Sequence, residues 1–242
     1  MKKIIIILIL LYTQLNANEA QEIIKKLNNN LRGVSVYMKM KMRITSRGHT
    51  RTMKMEMWSQ GTKKSFVKTL YPPKDRGITF LSLRTQMWQY IPKIERVIKI
   101  PPSMMLQNWM GSDITNDDMV RQSSIVDDYT PEILMKKGTV VTIKLTPKED
   151  SAVVWGKIII YIDTKTYTSK KDIFYDEEGE KVRVFSYKKV KKFGKYHTPT
   201  YWKISPTDKK GAFTEIILEK VIYDKKISSQ YFKKSALRRF SR

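Results

Sequence analysis

The sequence predicts a mainly β protein, and three observations support this prediction. Apolar and polar residues alternate with a period of two along many short segments, as in strands with one buried and one wet face. Short turns rich in Gly, Pro or charge separate these segments at the regular spacing of a β-sandwich or β-barrel. Strands and helices do not alternate along the chain, which argues against a parallel α/β fold. We expect about eleven strands in one domain.

The first 17 residues have the pattern of a secretory signal peptide. Met1-Lys2-Lys3 is basic, residues 4–11 are apolar throughout, and Leu15-Asn16-Ala17 supplies a small residue for cleavage. A membrane anchor is the alternative, but it needs roughly 20 apolar residues. The chain has no cysteine to carry a lipid anchor. We therefore expect cleavage after Ala17 and a soluble, unlipidated periplasmic protein with one domain over residues 18–242.

The charge of the chain predicts an anionic partner. The full chain carries 47 basic and 23 acidic residues, and removing residues 1–17 takes away two lysines and no acid, which leaves a net charge of +22. Such a charge attracts polyanions. Because export separates the protein from nucleic acid, we expect an anionic membrane surface or an acidic protein partner.

A helix and a methionine-rich hairpin open the predicted domain. Residues 19–31 carry Ala20, Ile23, Ile24, Leu27 and Leu31 at helical spacing, which indicates an amphipathic helix. From Val34 the period changes to two, and Arg47-Gly48-His49 forms the turn of a hairpin. Six of the 13 methionines fall on its inward faces: Met38, Met40, Met42, Met53, Met55 and Met57. Because Met packs adaptably, these faces suit a ligand of variable shape, such as an acyl chain; the alternative is an ordinary core.

Further strand-like segments lie between residues 64 and 100 and between residues 131 and 223. Within them the large aromatic residues have two interpretations, as core residues or as residues around the mouth of a cavity. These residues are Trp88, Tyr90 and Trp155, together with Trp109 from the interval between the two groups of strands.

The interval at residues 101–124 is irregular and rich in large apolar residues. Pro101-Pro102 ends a strand, since proline cannot donate to the ladder, and an apolar group follows, comprising Met104, Met105, Leu106, Trp109 and Met110. Gly111-Ser112-Asp113 then turns the chain. Thr115 and Asp118 form a capping-box pattern that predicts a short helix through about Gln122. Asp117 and Asp118 are interpreted as helix-start residues, since the helix dipole favours acids in the first turn.

The sequence offers little for catalysis. It has no cysteine, only two histidines, His49 and His197, and no glycine-rich phosphate loop or metal-binding spacing of histidines. A pair of carboxylates for glycoside hydrolysis stays open, because any two of the 23 acids could supply it. We expect no enzyme activity, no metal and no cofactor.

The C-terminal residues 225–242 hold seven basic residues and no acid, with Tyr231, Phe232, Leu237 and Phe240 interleaved. Two interpretations are open. In one, the apolar residues dock on the sheet while the basic residues face an anionic membrane or partner; in the other, the segment is a solvated tail.

The order of these features resembles the outer-membrane lipoprotein-sorting proteins, the LolA-like family of periplasmic carriers. The resemblance rests on the signal peptide, the helix, the hairpin, the strands Trp88-Gln89-Tyr90-Ile91-Pro92 and Arg96-Val97-Ile98-Lys99-Ile100, and the segment from Trp109 to Asp118. It implies a half-open antiparallel β-barrel with helices as a lid over the concave apolar face, residues 19–31 and 101–122 forming the lid. This chain is more basic than is typical of the family, so the resemblance does not fix a lipoprotein cargo.

These observations predict a periplasmic carrier that binds acyl chains of lipoproteins or other lipids for transfer toward the outer membrane. We expect a monomer that works with an inner-membrane transporter. The predicted ligand-binding residues are Met38, Met40, Met42, Met53, Met55, Met57, Trp88, Tyr90, Met105, Leu106, Trp109 and Met110, and the predicted lid turn comprises Gly111, Ser112, Asp113, Asp117 and Asp118.

Three alternatives are open. The first is an envelope-stress sensor or an accessory protein of an RND-type exporter that uses the same lipid-binding fold. The second is a secreted hydrolase, and the third is a structural envelope protein whose barrel is filled by its own side chains.

Overall fold

The computed structural model describes residues 18–121, 124–151 and 153–242. The predicted signal peptide and Gln122, the predicted end of the short helix, lie outside these residues. The described chain forms one sheet of thirteen antiparallel strands, two more than the eleven expected. The strands are β1 (Ser35–Ser46), β2 (His49–Gln60), β3 (Lys64–Tyr71), β4 (Thr79–Leu83), β5 (Gln86–Ile91), β6 (Arg96–Lys99), β7 (Tyr129–Lys137), β8 (Val140–Pro147), β9 (Lys157–Asp163), β10 (Thr168–Tyr175), β11 (Lys181–Phe193), β12 (Tyr196–Pro206) and β13 (Phe213–Tyr223).

Three α-helices accompany the sheet in the described residues: α1 (18–32), α2 (Asn116–Arg121) and α3 (Ala236–Arg239). The helix predicted at residues 19–31 is therefore confirmed. None of the described helices is long and apolar enough to cross a bilayer.

The sheet is a half-open barrel, as predicted. Its strand order is β6-β5-β4-β3-β2-β1-β13-β12-β11-β10-β9-β8-β7. Every neighbouring pair is also consecutive in the chain, except β1 and β13, which pair antiparallel in the middle of the sheet. The two free edges are therefore β6 and β7, and the opening lies between them. Residues 100–121 and 124–128, called the cover segment below, lie between these two edges in the chain.

The methionine hairpin forms with the register that its alternation predicts. Met38 pairs with Met57, and Met42 pairs with Met53. Since side chains opposite each other on an antiparallel pair share a face, all six methionines lie on the concave side of the sheet, four buried and two half-buried.

The cover segment and α1 both pack on the concave side. Trp109, Ile114 and Val120 of the cover segment belong to the same buried cluster as the methionines. Ile24 and Leu27 of α1 pack against β8 and β9, and the Gln21 side-chain amide donates to the Val126 carbonyl at 3.3 Å. Helix α1 therefore touches the cover segment at Val126, just beyond the predicted lid residues 101–122.

The C-terminal segment docks on the convex side. Leu237 is fully buried against Phe66 and Leu81, and Tyr231 stacks on Trp58 with ring centroids 4.7 Å apart. The docking interpretation of the apolar residues is thus confirmed over that of a solvated tail.

This docking corrects the predicted positions of Trp88 and Tyr90. Both belong to the convex cluster, where the ammonium of Lys234 lies 4.8 Å from the Trp88 ring centroid. Their strand neighbour Met87 faces the concave core instead. Because successive strand residues point to opposite faces, Trp88 and Tyr90 cannot line a cavity on the concave side.

Candidate ligand-binding cavity

The concave face has a closed part, which we call the methionine half. It comprises the inward side chains of β1–β5, and the cover segment fills it. Trp109 is only 2% exposed and meets Phe80 edge-on, with ring centroids 5.2 Å apart. Met105 and Met110 pack against the same cluster, whereas Leu106 points outward and is 58% exposed. The predicted methionine wall is therefore packed against the cover segment in this conformation.

The other part of the concave face, which we call the aromatic half, encloses a cavity of about 130 Å³. For comparison, an engineered apolar cavity of about 150 Å³ stays dry and binds benzene. The cavity is bounded by α1, the cover segment and strands β7 and β9–β12. Its main apolar lining residues are Leu27, Leu31, Ile125, Val153, Trp155, Ile158, Ile160, Phe174, Phe185 and Trp202.

Aromatic rings form a continuous wall of this cavity. Trp155 and Phe174 meet edge-on at 5.3 Å, and Phe174 and Phe185 lie 5.1 Å apart. Tyr187 then meets Trp202 edge-on at 5.9 Å. Such contacts hold large apolar surfaces in fixed orientations, so the wall is preformed.

A buried ion pair fixes the cover segment to the aromatic half. The two terminal nitrogens of Arg183 in β11 donate to the two carboxylate oxygens of Asp118 in α2, at 2.6 and 2.5 Å. Both side chains are more than 90% buried, and the guanidinium lies 4.2 Å from the Trp155 ring centroid. A bidentate pair of this kind is strongly directional, so it sets where α2 sits over the cavity.

The predicted capping box is present at the start of α2. The Thr115 backbone N–H donates to the Asp118 carboxylate at 2.7 Å, and the Asp118 backbone N–H donates to the Thr115 hydroxyl at 3.2 Å. The same carboxylate therefore caps the helix and binds Arg183. Asp117 and Asp118, which the sequence analysis assigned to the lid turn, both line the cavity.

The predicted lid turn is tied to the start of β13. The Asp113 backbone N–H donates to the Thr214 hydroxyl at 2.9 Å, and that hydroxyl donates to the Asp113 carboxylate at 2.7 Å. Ser112 is fully buried and donates to the Trp109 carbonyl at 2.7 Å. Met110 and Gly111 both have positive φ, at 53° and 69°, and the glycine adopts this conformation without a steric cost. Burial raises the pKa of Asp113.

One carboxylate lines the aromatic cavity without a charged partner. Asp172 of β10 accepts a hydrogen bond from the Tyr187 hydroxyl at 2.7 Å and another from the Ser169 hydroxyl. Burial raises its pKa to about 6, although both hydroxyls act in the opposite direction. The charged form of Asp172 is therefore costly in this apolar surrounding.

Sequence reasoning identified only part of this site. The Asp pair of the cover segment was predicted, and Trp155 was one of the aromatic candidates, but Arg183 and Asp172 were missed. The alternation of β11 offered a signal, since Arg183, Phe185 and Tyr187 share one face. No pattern indicated that the cover segment fills one half and leaves the other open. Among the described residues, no group of three or more His, Cys, Asp or Glu side chains is arranged to hold a metal ion.

Solved structures that are 19–21% identical to this chain share its fold. A DUF1329 family protein from Desulfovibrio piger is 21% identical, with a TM-score of 0.85 over 92% of this chain and 99% of that one. A domain described as an outer membrane lipoprotein-sorting protein, from Vibrio parahaemolyticus, is 20% identical, with a TM-score of 0.82 over 92% and 100%. A LolA superfamily protein from Nitrosomonas europaea is 19% identical, with a TM-score of 0.76 over 90% and 98%. The chain therefore has the LolA-like fold that its sequence predicts.

The family follows from the sequence itself. A family model described as "Uncharacterized protein" matches residues 61–239. This is well over half of the chain, so the chain belongs to that family. No curated protein matches the sequence.

Proposed function

We propose that this protein is a periplasmic carrier that binds acyl chains of lipoproteins or other lipids and hands them on toward the outer membrane. The observation that carries the proposal is the aromatic cavity on the concave face, closed by α1 and by the cover segment. The likeness to a domain described as an outer membrane lipoprotein-sorting protein supports the same role.

The size and lining of the cavity suit the end of an acyl chain. Its walls are mostly apolar, and each methylene group moved from water into such surroundings contributes about 0.8 kcal/mol. Burying about six methylenes would thus contribute about 5 kcal/mol before the costs of association. A longer segment of chain requires α1 and the cover segment to move apart, since together they close the cavity.

The charge of the protein supports a membrane-facing role. Between Glu180 and Asp208 the chain has no acid, and the β11–β12 hairpin presents Lys188, Lys189, Lys191, Lys192 and Lys195 to solvent. We propose that lysines such as these approach anionic membrane surfaces where cargo is loaded or released. The same proposal includes an inner-membrane transporter as donor of the lipid and a monomeric state. It also includes export by residues 1–17, one domain over residues 18–242, and the absence of enzyme activity.

Native mass spectrometry of the protein purified from its own periplasm, followed by solvent extraction, tests the proposal. A co-purifying lipid or acylated peptide is the expected result. The variant Leu31→Trp places an indole ring beside the cavity from α1 and should release the bound lipid. The matched variant Leu106→Trp, at an exposed position of the cover segment, should retain it. A protein that is empty as isolated and takes up neither a fluorescent fatty acid nor a fluorescent fatty alcohol would contradict a carrier role.

A further inference from the structure

The aromatic cavity contains a carboxylate that its own surroundings do not neutralise. Asp172 is buried, and its partners are two neutral hydroxyls, those of Ser169 and Tyr187. Within the described chain no lysine or arginine forms an ion pair with it. Arg183, the cation of this region, already binds Asp118 through both terminal nitrogens.

Such a group is costly unless something compensates it. A buried ionised carboxylate has to be paired or become protonated. The Asp172 carboxylate offers about four acceptor positions, and the hydroxyls use two of them. Asp172 lines the cavity together with Phe174 of the same strand and Trp202 of β12. A ligand in the cavity would therefore meet the acceptor positions that the two hydroxyls leave free.

We propose that the cavity recognises a protonated amine attached to an apolar chain, with the ammonium group bound by Asp172 and the chain lying along the aromatic wall. This inference rests on the proposed function and names the chemical class of its ligand. Aromatic faces around the carboxylate add to the attraction, because their quadrupole favours a cation. A carboxylate-headed amphiphile, such as a fatty acid, would meet Asp172 with the same sign of charge.

The overall charge of the protein acts against this preference. A chain with a net charge of +24 attracts anions over its whole surface. Any preference for an amine must therefore come from a local group. Measurements at 0.3 M salt suppress the surface contribution, because charges farther apart than the Debye length of several ångströms are then screened.

The test compares three amphiphiles of equal chain length, dodecylamine, dodecanol and dodecanoic acid, by isothermal titration calorimetry at pH 7.5. We expect dodecylamine to bind the unmodified protein at least about tenfold more tightly than dodecanol, as a charge-assisted hydrogen bond implies. In Asp172→Asn this advantage should fall to within about twofold. Asp127→Asn, an exposed acid of the cover segment, serves as the control and should retain the advantage.

The outcomes separate this inference from the function on which it rests. If dodecanol and dodecanoic acid bind but dodecylamine has no advantage, amine recognition is wrong and the carrier role stands. If Asp172→Asn keeps the advantage, Asp172 is not the recognising group. Failure of all three amphiphiles to bind would overturn the carrier role and this inference together. The comparison within the unmodified protein does not depend on how any variant folds.

Discussion

The two halves of the concave face are both apolar, yet only one of them is filled. In the methionine half, Trp109 and Ile114 of the cover segment occupy the space between flexible side chains. In the aromatic half, rings held against one another leave a cavity, and the polar groups around it are fixed by hydrogen bonds. Flexible methionine side chains can pack around the cover segment, whereas a wall of aromatic rings in fixed contact keeps its shape without a side chain to fill it. The ligand site is therefore expected on the rigid side.

The largest effect is expected from the ion pair that holds the cover segment over the aromatic half. Arg183→Met leaves the Asp118 carboxylate buried without its partner, which should lower the free energy of unfolding by about 3–5 kcal/mol. Urea unfolding measures the loss. Arg238→Met, at an exposed position of α3, is the matched control and should change stability by less than about 0.5 kcal/mol. A loss below about 1 kcal/mol in Arg183→Met would show that the pair does not anchor the segment.

The loss of stability on truncating an apolar side chain should be larger in the methionine half than in the aromatic half. Met55 is fully buried in the methionine half, so Met55→Ala should create a new void and cost about 2–5 kcal/mol. Leu31 of α1 is half-buried beside an existing cavity, and Leu31→Ala should cost about 1 kcal/mol, since less packing is lost. Equal losses in thermal unfolding would mean that the two halves are packed alike.

The pH dependence of stability reports on the aromatic half. The pKa of Asp172 rises from an ordinary value of 3.8 to about 6 on folding, so the folded state holds its proton more tightly than the unfolded state does. The contribution of Asp172 to the free energy of unfolding is most favourable below pH 4 and is lost as the pH rises through 6. By linkage the loss amounts to about 3 kcal/mol.

Asp172→Asn removes this titration while keeping the size of the side chain. At pH 7.5 the variant should be more stable than the unmodified protein by up to about 3 kcal/mol, and the difference should shrink toward pH 4. Denaturant unfolding from pH 4 to pH 8 gives both curves. If the two curves of unfolding free energy against pH ran parallel, the Asp172 carboxylate would have to lie in water, which would refute its burial.

The smallest effect is expected at the contact between α1 and the β7 edge. The Lys136 ammonium lies 2.6 Å from the Glu19 carboxylate, but both side chains are nearly half exposed. Glu19→Gln should therefore change the free energy of unfolding by less than about 0.5 kcal/mol. A change above 1 kcal/mol, seen in the same unfolding assay, would reveal an unexpected role for this pair in holding α1.

The sequence predicted those features of the fold and of the cavity that depend on residues close together in the chain. The alternation of the first hairpin placed six methionines on one face, and the Thr115 capping box located α2, because both follow from neighbouring residues. The face that holds Trp88 and Tyr90 was assigned wrongly, since alternation gives two faces and does not say which is concave. The Arg183–Asp118 pair joins elements 65 residues apart, so only the assembled sheet brings it together.

The pairing of β1 with β13 has a consequence for how the protein reaches its folded state. All other strand pairs are hairpins of adjacent segments, which form quickly because little chain entropy is lost. The β1–β13 pair joins residues such as Val36 and Tyr223, and it cannot form until nearly the whole chain has been synthesised. Until then β1 has an unpaired edge beside a methionine-rich face, a template for association with other chains. Formation of the β1–β13 pair is thus the step at which folding competes with aggregation, and we expect this step to limit the folding rate.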